Sequence, residues 1–224
     1  NYIKDFGADE VILAVGPETS SPDVPGKNRK NVIDSHALKE LVEGKNTPGM
    51  GAMWGLSCFG MGILGAPLGL MKWGLGTHLL VKKRLAVIGG GFAGIEVASS
   101  MNEGREVTVI ESAKKAGAEI GIIDKNPTIN LVKSKGVKLM PLTKLVEVTK
   151  KGAKVQNVET GEEQLIECDT VLTSLGVEQN TKLYDEIAKA FPNAKLIGDA
   201  TTPAGKVYRT LEAVKGGYQA SMAL

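Results

Sequence analysis

Aromatic residues make up only 4% of this 224-residue chain, which also has just two cysteines and two histidines. Cys58 and Cys168 lie far apart in different contexts. That excludes a disulfide framework, a C-x-x-C redox pair and a cysteine-based metal site. His36 and His78 stand outside any grouping with Cys, Asp or Ser, so both read as structural, with no triad and no metal centre. An excess of one charge is missing too: Lys+Arg 27 against Asp+Glu 25 leaves a formal +2. Without a basic stripe interleaved with aromatics, nucleic acid is excluded as a partner. No signal-peptide pattern opens the chain, and a reduced, cytoplasmic setting is expected. The opening Asn1-Tyr2-Ile3-Lys4-Asp5-Phe6 reads as the interior of something longer.

Glycine, by contrast, is plentiful, and its placement is informative. Leu85-Ala86-Val87-Ile88 is an apolar strand that runs into Gly89-Gly90-Gly91-Phe92-Ala93-Gly94-Ile95-Glu96, and Val107-Thr108-Val109-Ile110-Glu111 follows. A strand, a G-x-G-x-x-G turn, a helix and a carboxylate roughly 20 residues on form a dinucleotide fingerprint. Gly89 permits the sharp turn, Gly91 removes a side chain that would block a pyrophosphate, and Gly94 lets the helix lie close to the sheet. Gly90, Phe92 and Ala93 complete the segment, whose helix N-terminus offers unpaired N–H groups to an anion. Glu111, at the end of the second strand, is placed to accept hydrogen bonds from ribose hydroxyls and to repel a 2′-phosphate. This favours NAD(H) over NADP(H). Lys114 and Lys115 just beyond leave the phosphate alternative open.

Other segments complete an α/β pattern. The fingerprint helix is expected from Gly94 to Asn102, a helix from Asn126-Pro127 to Lys135, and a third strand from Val137 to Met140. Alternation over Leu145–Thr149, Ala153–Val158 and Gln164–Cys168, broken at Lys151-Gly152 and Thr160-Gly161, reads as an antiparallel meander. Ala8-Asp9-Glu10-Val11-Ile12-Leu13-Ala14-Val15-Gly16-Pro17 and Cys168-Asp169-Thr170-Val171-Leu172-Thr173-Ser174-Leu175-Gly176 each read as a buried parallel strand ending at a glycine. Lys195-Leu196-Ile197-Gly198-Asp199-Ala200 gives another short strand with an acid after its glycine, and a helix is expected over 210–224.

In these words the chain resembles the two-dinucleotide-binding-domain flavoproteins, and most closely the C-terminal part of the NADH:flavin oxidoreductase family. That family includes 2-enoate reductase, 2,4-dienoyl-CoA reductase and trimethylamine dehydrogenase. The resemblance implies an α/β protein: residues 1–46 and 179–224 as a partial FAD-type domain, 47–82 as an apolar insert, and 83–178 as a Rossmann-like NAD(H) domain with parallel sheet and meander. It implies that Asp199 meets the ribityl or pyrophosphate region of a flavin and that Gly16 lies at the crossover between domains; Gly16, Gly176 and Gly198 are expected as cofactor-binding positions, where a strand ends and the chain turns near a ligand. Asp199 also reads as a turn or capping acid. Glu96 reads either as the family's acid near the nicotinamide–flavin contact or as a first-turn helix glutamate favoured by the macrodipole. No side chain is assigned a catalytic role, because the cofactors carry hydride chemistry. Of the family's other parts, an FAD-type fingerprint set between an apolar strand and a helix, the barrel and the iron–sulfur cysteines are not read in this sequence. FAD is therefore expected in the full-length protein and to be weak or absent on this chain.

The stretch from Thr47 to Lys82 is Gly/Met-rich, and residues 46–71 carry no charge. Three readings stay open: an arm covered by another domain or subunit, a membrane-surface or re-entrant segment over 49–81, and a hinge or loop. The expected function is the NAD(H)-binding portion of a flavin-dependent oxidoreductase, passing hydride from NADH to FAD for reduction of an activated alkene or similar substrate. The alternative is a non-catalytic nucleotide-binding or electron-transfer module, membrane-associated through residues 49–81. The expected partner is an N-terminal FAD/barrel region or a separate flavin subunit, with a homo-oligomer also open.

Overall fold

The structure, a computed structural model, describes residues 2–33, 81–118, 120–203 and 210–223. Cys58, His36, His78 and residues 47–80 of the apolar stretch, with its membrane reading, lie outside the described residues. The chain divides into two compact units, one of residues 1–20 and 176–224, the other of residues 21–175. The smaller unit opens with helix Tyr2–Phe6 and strands β1 (Ile12–Leu13) and β2 (Glu18–Thr19). The larger unit holds β3 (Val32–Ile33), β4 (Arg84–Ile88), helix Phe92–Ser100, β5 (Glu106–Ile110), helix Ile122–Ser134, β6 (Lys138–Met140), β7 (Thr143–Val148), β8 (Gly152–Asn157), β9 (Glu163–Glu167) and β10 (Thr170–Thr173). The chain then returns to the smaller unit with β11 (Val177–Glu178), helix Lys182–Ala188, β12 (Lys195–Leu196), a 3-10 turn Gly198–Thr201 and helix Thr210–Met222.

In the larger unit a five-stranded sheet runs β3-β10-β4-β5-β6, parallel throughout. The apolar run of β4 splits by parity, as strand geometry requires. Leu85 and Val87 join Ile95, Ala98 and Val132 of the two helices in one buried cluster. Ala86 and Ile88 join Val148, Ala153 and Val155 of the meander in another. Both faces of the sheet are covered, which explains an uninterrupted hydrophobic strand. The fold is thus the expected α/β arrangement of a parallel sheet with an antiparallel one, β7-β8-β9.

Several boundaries moved for identifiable reasons. Helix Ile122–Ser134 begins a turn before Pro127, with the Lys125 N–H bonded to the Gly121 carbonyl at 2.9 Å. The proline costs one bond near the helix start and does not found the helix. Val32–Ile33, grouped by sequence with the flanking portion, pairs in parallel with β10 and packs in the larger unit. In the smaller unit β1 and β12 shrink to two residues each, paired Ile12↔Lys195 and Leu13↔Leu196. Leu13 is buried, but Ile12 and Val15 are 40% and 41% exposed. Among the described residues β12 is the only strand paired with β1, so this apolar run lacks the double cover of β4.

An ion-pair group ties the start of β4 to the turn before β10. Arg84 Nη2 lies 2.7 Å from Asp169 Oδ1, Nε donates to Oδ2 at 3.1 Å, and Nη1 reaches Glu167 Oε2 at 2.9 Å. The hydrogen bond from Arg84 holds the Asp169 carboxyl below the usual carboxylate range. A depressed carboxyl stabilises the fold above its unfolded value of about 4, and this contribution is lost as pH falls through the folded value. Asp169→Asn is therefore expected to flatten the acid limb of the melting temperature below about pH 4, measured by thermal melts across pH. The difference is modest, because both side chains are partly exposed.

Candidate functional site

The glycine turn has the geometry that its sequence demands. Gly89 sits at φ +103°, a conformation open to glycine, and an added Cβ would run into the Ser174 carbonyl at the end of β10. Gly91 is the N-cap of helix Phe92–Ser100, extended and without a side-chain cap bond. A Cβ on Gly94 would overlap the Gly89 carbonyl oxygen, so the first helical turn lies directly on the turn that precedes it. The first intrahelical bond runs from the Ile95 N–H to the Gly91 carbonyl at 3.0 Å. The N–H groups of Phe92 and Ala93, at exposed positions, come before it and point out of the helix start. Oriented donors at the positive end of a helix, with side chains cleared away, suit a diphosphate.

Glu111 directly follows β5, beside this turn. Its Oε2 accepts the Gly90 N–H at 2.6 Å, and its Oε1 accepts the Ala113 N–H at 2.7 Å and the Ser112 hydroxyl at 3.4 Å. A carboxylate offers about four acceptor positions, so capacity remains for ribose hydroxyls. Lys114 lies 3.9 Å from Glu159 across an exposed ion pair, which engages one of the two lysines weighed against an NAD preference. Gly89, Gly90, Gly91, Phe92, Ala93, Gly94 and Glu111 are thus brought together at one end of the parallel sheet. These residues fit a pyridine dinucleotide.

Glu96 is exposed and lies past the first turn of its helix, which starts at Phe92 and not at Gly94. This corrects the first-turn reading, because the macrodipole effect is confined to that turn.

Gly16, Gly176, Gly198 and Asp199 belong to the smaller unit. The three glycines have φ between +71° and +81° with open space at Cβ, so the backbone conformation alone selects glycine. Gly16 and Gly176 precede β2 and β11, which pair antiparallel, and the Gly176 carbonyl accepts the Ser20 N–H at 3.0 Å. Asp199 lies in the 3-10 turn, and its Oδ1 is buried without a hydrogen-bond partner among the described residues, as is Thr202 Oγ1. A buried carboxylate oxygen lacking a donor is what a ligand hydroxyl would satisfy. Asp199 therefore fits the flavin contact that the resemblance implies.

Sequence reasoning missed two parts of the site. One is the Ser174 carbonyl behind Gly89, a through-space contact with no local signal. The other is Gly117, at φ +69°, whose N–H donates to the Gly90 carbonyl at 2.6 Å. A glycine following Lys114-Lys115-Ala116 marks a turn, and that signal was available. Cys168 is buried, and burial pushes its thiol above the ordinary range, consistent with a packing role. Among the described residues no group of three or more potential metal ligands occurs.

The family described as pyridine nucleotide-disulphide oxidoreductase matches residues 3–203, and the chain belongs to it. A relative, cinnamate reductase of Clostridium sporogenes, is 26% identical over 221 residues, covering 97% of this chain and 27% of its own length. Dihydrolipoyl dehydrogenase of Staphylococcus aureus is 37% identical over 107 residues, 45% of this chain and 22% of that protein. Among solved structures, 2-naphthoyl-CoA reductase superposes with a TM-score of 0.71 at 23% identity, covering 99% of this chain and 28% of that one. Thioredoxin reductase of T. acidophilum gives 0.63 at 21% identity, covering 97% and 65%. The resemblance to two-dinucleotide-binding-domain flavoproteins holds, and the chain spans about a quarter of the length of the first of these relatives.

Proposed function

We propose that this chain binds NADH through Gly89–Gly94 and Glu111 and forms the NADH-side portion of a flavin-dependent oxidoreductase. The observation that carries the reading is the paired geometry of a side-chain-free turn onto a helix N-terminus with a carboxylate fixed beside it. The chain's own residues bind and orient the dinucleotide, and hydride transfer is the chemistry that nicotinamide and flavin supply when bound. Asp199 would hold part of the flavin, and Glu96 is the candidate acid near the nicotinamide. In the whole protein, electrons from NADH would pass through FAD to an activated alkene or similar acceptor. The names of the cinnamate and naphthoyl-CoA reductases support that substrate class.

Glu111→Ala is expected to weaken NADH binding by about 1–2 kcal/mol, roughly a 5–30-fold rise in Kd. Titration followed by nucleotide fluorescence measures it, and tighter binding of NADPH than NADH by the unaltered chain would reject the assignment. The other reading is a nucleotide-binding module whose flavin belongs to a partner. A colourless chain that binds NADH supports the module. A yellow one that oxidises NADH with an artificial acceptor supports the flavoenzyme.

A further inference from the structure

We infer that Gly90, between the first two glycines of the turn, is a positioning residue that sets the choice between NADH and NADPH by clamping the loop after β5. The inference rests on the nucleotide reading above.

Both backbone polar groups of Gly90 are spent on that loop. Its N–H donates to Glu111 Oε2 at 2.6 Å, and its carbonyl accepts the Gly117 N–H at 2.6 Å. One residue back, the Gly89 N–H bonds the Ile110 carbonyl at 2.9 Å, so turn and loop are joined over consecutive positions. The far side of the loop is also held: the Ala113 N–H bonds Glu111 Oε1, and the Ala113 carbonyl accepts the Leu142 N–H at 3.0 Å. Gly90 is buried, and a Cβ there would lie 3.0 Å from Glu111 Cβ, 3.1 Å from Oε2 and 3.2 Å from Ala116 Cβ. Each of these contacts is tighter than ordinary van der Waals packing, so a side chain at Gly90 would require a shift of a few tenths of an ångström in the carboxylate or in the loop beside it.

A charged hydrogen bond to a backbone N–H fixes a carboxylate far better than a solvated surface position does. Held this way, Glu111 keeps its charge beside the turn, where a 2′-phosphate would have to enter, and Lys114 and Lys115 ride on a loop that cannot swing in to replace it. Discrimination therefore belongs to the clamp, and not to the charge of Glu111 alone.

The two ideas separate experimentally. Gly90→Ala presses on the carboxylate that its N–H holds, and Glu111→Asp keeps the charge while shortening the side chain that reaches Gly90. Kd values for NADH and NADPH are measured on the full chain and both variants, with circular dichroism confirming folding. The NADH-over-NADPH preference is expected to fall about tenfold in both variants, the size of one charged hydrogen bond. A variant that fails to fold is replaced by a ligand-free readout: slowed exchange of the Gly90 amide in the unaltered chain, lost in Glu111→Ala. Unchanged preference in the folded variants, or an unprotected Gly90 amide, overturns the inference while NADH binding still stands. A chain that binds neither nucleotide overturns the reading of the site itself, and this inference with it.

Discussion

Alanine at Gly94 should abolish useful NADH binding and lower the melting temperature together. The new methyl group meets the Gly89 carbonyl oxygen, a backbone atom that cannot rotate aside. Either the helix lifts from the turn or the turn unwinds from φ +103°, and both displace the amides of Phe92 and Ala93. Overpacking against a rigid neighbour costs about 3 kcal/mol, which for a chain of this size is on the order of 6–12 °C in Tm. Anion binding at a helix start depends on several donors converging. The Kd for NADH is expected to rise on the order of a hundredfold, about 2.8 kcal/mol. Gly89→Ala should behave alike, since it adds a collision with Ser174 to an unfavourable φ. Gly121 is the control: its φ is −54° and nothing lies within 4 Å of its Cβ, so Gly121→Ala should change stability by less than about 1 kcal/mol. Thermal melts and NADH titration of the variants check the contrast, and a Gly94→Ala chain that binds NADH normally would reject the phosphate-cradle geometry.

The parts most legible in the sequence are those where local and tertiary signals coincide. Glu106–Ile110 was bounded to the residue because its alternation, its preceding Gly104 and its terminal acid all agree with a strand buried in the middle of a sheet. The meander emerged within a residue or two, since Gly152 and Gly161 both adopt positive φ at its turns. Pro127 misled because proline is most favoured at the first helical position, so Asn126-Pro127 reads as a start, whereas the helix extends a turn upstream and forgoes one bond. The short strands of the smaller unit misled for the opposite reason: their apolar runs suit a sheet covered on both faces, and the described residues do not supply that cover. At the site, identities were readable and partners were not. Glu111 was placed by spacing, but nothing local reveals that Gly90 and Ala113 hold its two oxygens, because those bonds depend on how the loop 111–118 closes over the turn.

Ile95→Ala should separate stability from binding, in contrast with Gly94→Ala one residue away. Ile95 is fully buried in the cluster that joins Leu85, Val87, Val109 and Leu172 to the helix side of the sheet, whereas Phe92 and Ala93 face outward. Truncating a buried isoleucine leaves a cavity costing about 2–5 kcal/mol, the larger end applying where strands on two sides prevent collapse. The amides that would meet NADH are fixed from elsewhere, by Gly89 under Gly94 and by Gly90 on Glu111. At a temperature where the variant is folded, its Kd for NADH should stay within about threefold of the unaltered chain, because truncating the side chain leaves those backbone contacts in place. Its melting temperature should fall by on the order of 5–15 °C. Proportional loss of affinity and stability at that temperature would mean that the hydrophobic face, and not the glycine contacts, sets the position of the helix start. The role given to Gly94 would then have to pass to Ile95.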